Sequence, residues 1–219
     1  EPLARYSGHP EIPRYNAFHA LNQKAVVRRI SAEMGKQYGD LNLIIAHLGG
    51  GISVAAHKKG RVIDCNNALE EGPFSPERSG SLPVQRLVDL CFSGRYTKDD
   101  IKKMIVGKGG LYAYLHTTDC KLIVERALSG DHYATEVLEA MCYQVAKEIG
   151  AFSAILNGEV DRIGLTGGMA FDSHIVKLIS ERVKFIAPVV VVPGEDEMIA
   201  LAEGVMRVLV GGEAVREYI

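Results

Sequence analysis

Between Asn42 and Cys65 three apolar segments follow one another with room only for turns between them. Asn42-Leu43-Ile44-Ile45-Ala46-His47 reads as a buried strand, Gly49-Gly50-Gly51 as the turn after it, Ile52 to His57 as a second strand and Arg61 to Cys65 as a third. The Lys58-Lys59-Gly60 connection is too short for the crossover that parallel strands require, so the second and third strands form an antiparallel hairpin. Downstream the pattern alternates between helix and strand. A sheet that opens on three neighbouring strands and continues through helix and strand units is mixed, with helices on its faces, rather than purely doubly wound.

Periodicity supplies the remaining elements. Residues 17–34 have a helical repeat through Ala20, Leu21, Lys24, Val27 and Ile30, with Gly35 as a stop. Residues 66–83 are a loop rich in Asn, Gly, Pro and Ser, followed by helices at 84–93 and 98–106, a second loop at 107–119 and a further short helix. The strongest helical signal runs from Tyr133 to Asn157 along Val137, Met141, Val145, Ile149, Phe152 and Leu156, and stops at Asn157-Gly158. A strand at 162–166, a Gly167-Gly168 turn, a helix at 173–183, a strand at 187–192 and a helix at 196–210 complete the chain. The last helix is amphipathic through Met198, Leu201, Ala202, Val205 and Leu209. The order is βββ, a helical insertion, then αβαβα, an α/β fold.

Composition excludes several classes. The 219 residues suffice for a full core, so neither a disulfide nor a structural metal is required. Cys65, Cys91, Cys120 and Cys142 are widely spaced with no CxxC pair, for which a reduced, cytoplasmic protein is the simplest account. A net charge of -2 without a Lys/Arg block argues against a nucleic-acid partner. The longest apolar run, Phe185 to Pro193, is broken by Pro188 and too short to span a membrane.

Two strand ends run into glycines. At His47-Leu48-Gly49-Gly50-Gly51-Ile52-Ser53 the missing Cβ atoms let backbone N–H groups approach phosphate oxygens, although a ligand-free glycine turn has the same composition. Leu165-Thr166-Gly167-Gly168-Met169-Ala170 is a second such step, leading to a helix. Arg78, among the turn formers of residues 72–83, has donors suited to phosphate or carboxylate, and equally pairs with Glu77 or solvent. His19 at a helix start reads as a packed or capping histidine or as a catalytic one. Asp119 reads as a helix cap or a nucleotide acceptor. Pro193-Gly194-Glu195-Asp196-Glu197 either complements a helix dipole or offers a hard-cation site beside a phosphate chain.

Taken together, Phe18-His19-Ala20-Leu21-Asn22-Gln23-Lys24, Ala46-His47-Leu48-Gly49-Gly50-Gly51-Ile52-Ser53-Val54, Gly72-Pro73-Phe74-Ser75-Pro76-Glu77-Arg78-Ser79-Gly80, Leu165 to Ala170 and Pro193 to Met198 resemble the butyrate kinases of the acetokinase family over essentially the whole chain. More distantly the chain looks like acetate kinase, within the actin-like, ribonuclease-H-like superfamily.

The resemblance implies a kinase with two βββαβαβα domains closing over nucleotide and acceptor. Residues 1–40 are then the end of the first domain and a crossover helix, and residues 41–219 the C-terminal actin-like nucleotide-binding domain. The opening Glu1-Pro2-Leu3, without an initiator methionine, fits that expectation.

Residue by residue, the resemblance implies catalytic roles for His19, which stabilises the transferring phosphoryl group, and for Arg78, which holds carboxylate and phosphoryl oxygens. Ala20 and Gly50 stand where acetate kinase has Gly and Asn. His47, Gly49, Gly50 and Gly51 then belong to the phosphate loop, Gly167 and Gly168 to the adenosine turn, and Asp119, with Lys121 in place of an arginine, to the adenine contact. Glu197, with Asp196 as the alternative, becomes the Mg2+-linked carboxylate.

The implied substrates are ATP or ADP and a short-chain carboxylate, and the implied assembly is a homo-oligomer. Acetate or propionate as acceptor, or a non-catalytic actin-like nucleotide-binding module, are the alternatives.

Overall fold

A computed structural model describes residues 1–195 and 197–211, leaving aside the side chains of Glu197 and Ile199. The sheet contains β1 (Asn42–Leu48), β2 (Ile52–Lys58), β3 (Arg61–Cys65), β4 (Arg162–Gly167) and β5 (Val189–Pro193), in the order β3-β2-β1-β4-β5. β1–β2 and β2–β3 pair antiparallel, whereas β1–β4 and β4–β5 pair parallel. The sheet is therefore mixed, as expected. The β2–β3 hairpin turns at Lys59 and Gly60, both with positive φ, the geometry that matches the twist of the two strands.

The helices are α1 (Ala20–Glu33), α2 (Val84–Cys91), α3 (Lys98–Ile105), α4 (Gly110–Leu115), α5 (Cys120–Leu128), α6 (His132–Ile155), α7 (Ser173–Val183) and α8 (Glu197–Leu209), with α1 on one face of the sheet and α6 and α7 on the other. Strand parity divides the core in two. Ile44, Ala46 and Leu48 of β1 join Ile163 and Leu165 of β4 under α6 and α7, in a cluster that includes Leu138, Met141, Val145, Ile149 and Ile179. Leu43 and Ile45 face the other way, onto Val26, Val27 and Ile30 of α1. A strand buried on both sides reads as continuously apolar, and β1 is buried at every position.

Three elements differ from the sequence reading. The expected loop at 107–119 contains α4, because Leu111 and Leu115 sit one helical turn apart and both enter the core. The apolar stripe of α8 does not close the core: Met198, Leu201, Val205 and Leu209 remain exposed in the described structure. Helix α1 begins three residues later than expected, with His19 at its N-cap.

The cysteines are unpaired, with Cys65 and Cys142 buried, Cys120 partly buried and Cys91 exposed. Burial pushes the thiols of Cys65, Cys120 and Cys142 up to about 12, so they stay protonated and unreactive. Among the described residues no helix is long and apolar enough to cross a membrane.

Candidate nucleotide and phosphoryl site

The sheet registers bring the two glycine steps to the same end of the sheet. His47 pairs with Ser53 on one side and with Thr166 on the other, so the Gly49–Gly51 turn and the Gly167-Gly168 step leave from neighbouring strands. Between them opens a cavity of about 690 Å³. Its walls include Gly49, Gly50, Glu77, Asp119, Gly168 and Glu195, with Met169, Phe171 and Ile175 as an apolar side. Four of the residues expected to bind nucleotide, Gly49, Gly50, Asp119 and Gly168, thus line one space.

The remaining glycines are behind the wall. A Cβ at Gly167, which has φ +88°, would press on the backbone of Leu48, so this position is dictated by close chain approach. Gly168 has open space around it. A Cβ at Gly51 would run into the guanidinium of Arg78, whereas at Gly50 the nearest atom is Glu77 Oε1 at 3.8 Å. Gly50 is therefore the glycine with room for a ligand, and Gly51 is the seat of the arginine.

Arg78 is placed by its own loop. Ser75 N–H donates to Arg78 O at 2.9 Å, and Ser75 Oγ receives the Arg78 N–H at 3.2 Å and donates to Gly50 O at 2.7 Å. Residues 75–78 are thereby tied to the glycine turn. Arg78 Nη1 donates to Ala68 O at 3.0 Å, while Nε is buried with no hydrogen-bond acceptor among the described residues, 4.0 Å from Glu77 Oε1. A buried donor without an acceptor costs about 1–3 kcal/mol.

His19 lies over β1 and β2. Its ring stacks on His47 with centroids 3.7 Å apart, and its Nδ1 is 2.8 Å from Ser53 Oγ. His47 is almost fully buried, which lowers its pKa to about 4. Its Nδ1 is 2.9 Å from Asn22 Oδ1, and Asn22 Nδ2 donates to Gly194 O at 3.2 Å. On the other side His47 Nε2 is 3.0 Å from Glu195 Oε1.

Among the described side chains of the acidic segment after β5, Glu195 is the carboxylate brought to the glycine turn. Glu197 begins α8 with its side chain outside the description, and Asp196 lies outside the described residues. Asp119 caps α5, its Oδ1 accepting from Lys121 N at 3.0 Å and Leu122 N at 3.2 Å, so the capping reading holds and Oδ2 is outside these bonds. Asn22, Gln23, Ser53, Ser75 and Glu77 were not singled out as site residues in the sequence. For Ser53 the available signal was its place, with His57 four residues on, as a polar residue on one face of the otherwise apolar run from Ile52 to His57.

The acetokinase family profile matches residues 4–191. This chain belongs to the acetokinase family. Two curated relatives from Clostridium acetobutylicum, Butyrate kinase 1 and Butyrate kinase 2, are 56% and 55% identical over all 219 residues. This acetokinase chain spans 62% of the length of each. Its fold is that of an acetate kinase from Porphyromonas gingivalis, with TM-score 0.84 and 22% identity over 94% of this chain and 60% of that one. A propionate kinase from Francisella tularensis gives TM-score 0.80 and 22% identity, covering 90% of this chain and 58% of that one. The actin-like architecture expected of the acetokinase family is the one observed.

Proposed function

We propose that the protein containing this chain is a carboxylate kinase that transfers the γ-phosphoryl group of ATP reversibly to butyrate. Its relatives carry the name butyrate kinase along the full length of this chain. The observation that carries the reading is the Gly49–Gly51 turn, which seats the guanidinium of Arg78 at Gly51 and at Gly49 and Gly50 lines a cavity of about 690 Å³. Residues 1–40 are, in this reading, the end of a preceding domain and the crossover helix.

A carboxylate is ionised at neutral pH, so the acceptor needs no general base. One of its oxygens forms a bond to the γ-phosphorus while the bond from that phosphorus to the β–γ bridging oxygen breaks, giving an acyl phosphate and ADP. Catalysis is then positioning and neutralisation of charge. Arg78 binds the transferring oxygens and the acceptor carboxylate, His19 donates to the phosphoryl group, and the amides of the Gly49–Gly51 turn hold the phosphate chain. Gly168, Asp119 and the apolar wall at Met169 and Phe171 accommodate the nucleoside.

Mg2+ fits this donor set. Glu195 and Glu77 present carboxylate oxygens against Gly49 and Gly50, and a small hard cation takes one or two carboxylates and completes its shell from phosphates and water. Glu197 is the third candidate ligand. Bound there, the ion neutralises charge on the phosphate chain.

The test is conversion of ATP and butyrate to an acyl phosphate trapped with hydroxylamine, in the full-length protein. Product from the wild type and its loss in Arg78→Ala supports the assignment. Nucleotide binding without any trapped product overturns it in favour of a non-catalytic nucleotide-binding module.

A further inference from the structure

Behind His19 a line of side chains crosses the α1 face of the sheet. Tyr38 Oη lies 2.9 Å from His57 Nδ1, His57 Nε2 is 3.1 Å from Gln23 Oε1, and Gln23 Nε2 is 3.0 Å from Ser53 Oγ. Ser53 Oγ in turn is 2.8 Å from His19 Nδ1. Gln23, Ser53 and His57 are fully buried, so their polar atoms must be satisfied by one another.

Donor and acceptor chemistry fixes the direction of each bond. The Gln23 amide also reaches the Ser53 carbonyl oxygen at 3.2 Å, and a carbonyl only accepts. The atom facing it is therefore the NH2 group, whose two hydrogens go to Ser53 O and Oγ. The amide oxygen is left facing His57, which donates from Nε2 and accepts at Nδ1 from the Tyr38 hydroxyl. Burial keeps His57 neutral, lowering its pKa to about 3.

Ser53 Oγ has three neighbours in this arrangement: the Gln23 amide nitrogen, the His19 backbone N–H at 3.4 Å and His19 Nδ1. The first two can only donate. The hydroxyl hydrogen therefore goes to His19 Nδ1, and a proton on Nδ1 would orphan it.

We propose that the Tyr38–His57–Gln23–Ser53 chain fixes the tautomer and ring plane of His19, with Nδ1 accepting from Ser53 and the ring proton on Nε2. Ser53 and Gln23 are then positioning residues for phosphoryl transfer, a consequence that rests on the role proposed for His19 above. An imidazole protonated at Nε2 donates to an anionic oxygen. The other tautomer would present that oxygen with a lone pair.

The experiment is nitrogen-resolved NMR of the histidine side chains in the full chain, paired with kinetics of the full-length protein. Wild type should show a protonated-type nitrogen at His19 Nε2 and a bare one at Nδ1. Ser53→Ala should shift both resonances toward a mixture of tautomers and lower kcat about 10–100-fold with little change in KM, the size typical of losing a group that orients a functional histidine. Gln23→Met, which keeps the volume and removes the amide donor, should move the same resonances and guards against a folding defect in the first variant. A wild-type His19 protonated at Nδ1, or a tautomer population that both variants leave unchanged, overturns the proposal. An undiminished kcat in His19→Ala would instead overturn the catalytic reading of His19, and the NMR result alone would then decide the tautomer.

Discussion

The ring of His19 lies flat on that of His47, with centroids 3.7 Å apart and planes 14° from parallel. Two imidazolium ions could not stack in this way without strong repulsion, so at least one of the rings must be neutral. The buried ring is His47, anchored between Asn22 and Glu195.

Acid should therefore destabilise the fold through its buried histidines. Burial lowers His47 from 6.5 to about 4 and His57 from 6.5 to about 3, with Lys24 adding to the effect on His57. The unfolded chain then takes up protons first as pH falls. Stability is present in full above pH 6.5 and declines toward pH 4, by about 1.4 kcal/mol per pH unit for each histidine. Urea unfolding at a series of pH values should show this slope, and His57→Gln should reduce it by one proton's worth. An equal slope in the variant would exclude His57 as a source.

Gly51→Ala should reproduce the kinetic defect of Arg78→Ala, because the new methyl group occupies the place of the guanidinium. Both should lower kcat by on the order of 10²-fold, the typical loss on removing one donor to a transition-state oxyanion. Steady-state kinetics decide it, and a Gly51→Ala enzyme with normal turnover would sever the arginine from its proposed seat.

Gly50→Ala should behave differently. The nearest atom to its new Cβ is Glu77 Oε1 at 3.8 Å, an ordinary contact, so thermal stability should change by less than about 0.5 kcal/mol. ATP binding should weaken if the phosphate chain approaches this backbone. Calorimetric titration with unchanged ATP affinity would remove Gly50 from the phosphate site.

The paired glycines after β4 should separate in the same manner. Gly167→Ala forces a side chain onto the Leu48 backbone at a positive φ and should cost about 2 kcal/mol or more. Gly168→Ala meets open space and should leave unfolding almost unchanged while weakening nucleotide binding. Equal stability losses in the two variants would contradict this division.

Asp119 has a structural duty that must be separated from any nucleotide contact. Asp119→Ala should cost about 0.5–2 kcal/mol through loss of the α5 cap, and Asp119→Asn should retain most of that cap. Unfolding curves test the first statement. ATP titration of the Asn variant then reports on the carboxylate with the helix intact, and unaltered affinity would remove Asp119 from the nucleotide site.

Much of this fold was legible in the sequence because burial imposes strict periods. The three opening strands, the hairpin and the long α6 were each specified by several residues in phase. Helix α4 was not, since Leu111 and Leu115 are only two apolar points among glycines and aromatic residues. The exposed stripe of α8 shows the opposite limit, where periodicity defines an amphipathic face but not what covers it. At the site, Gly49, Gly50, Asp119 and Gly168, each taken from a motif on a single loop, line one cavity. The Gln23, Ser53 and His57 line could not be read from the sequence, because helix docking brings Gln23 of α1 against Ser53 and His57 of β2. The approach of Glu195 to His47 likewise needed the turn after β5 in three dimensions.

Arg78 is confined by Gly51 beneath it, Ala68 O at its end and the Ser75 turn at its root. An arginine that orders only when substrate arrives charges that ordering against affinity, about 0.5–1.5 kcal/mol for a side chain of this type. Here the rotameric freedom is surrendered when the chain folds. Folding and catalytic readiness are consequently coupled at position 51: a side chain there would expel the arginine that folding otherwise sets in place.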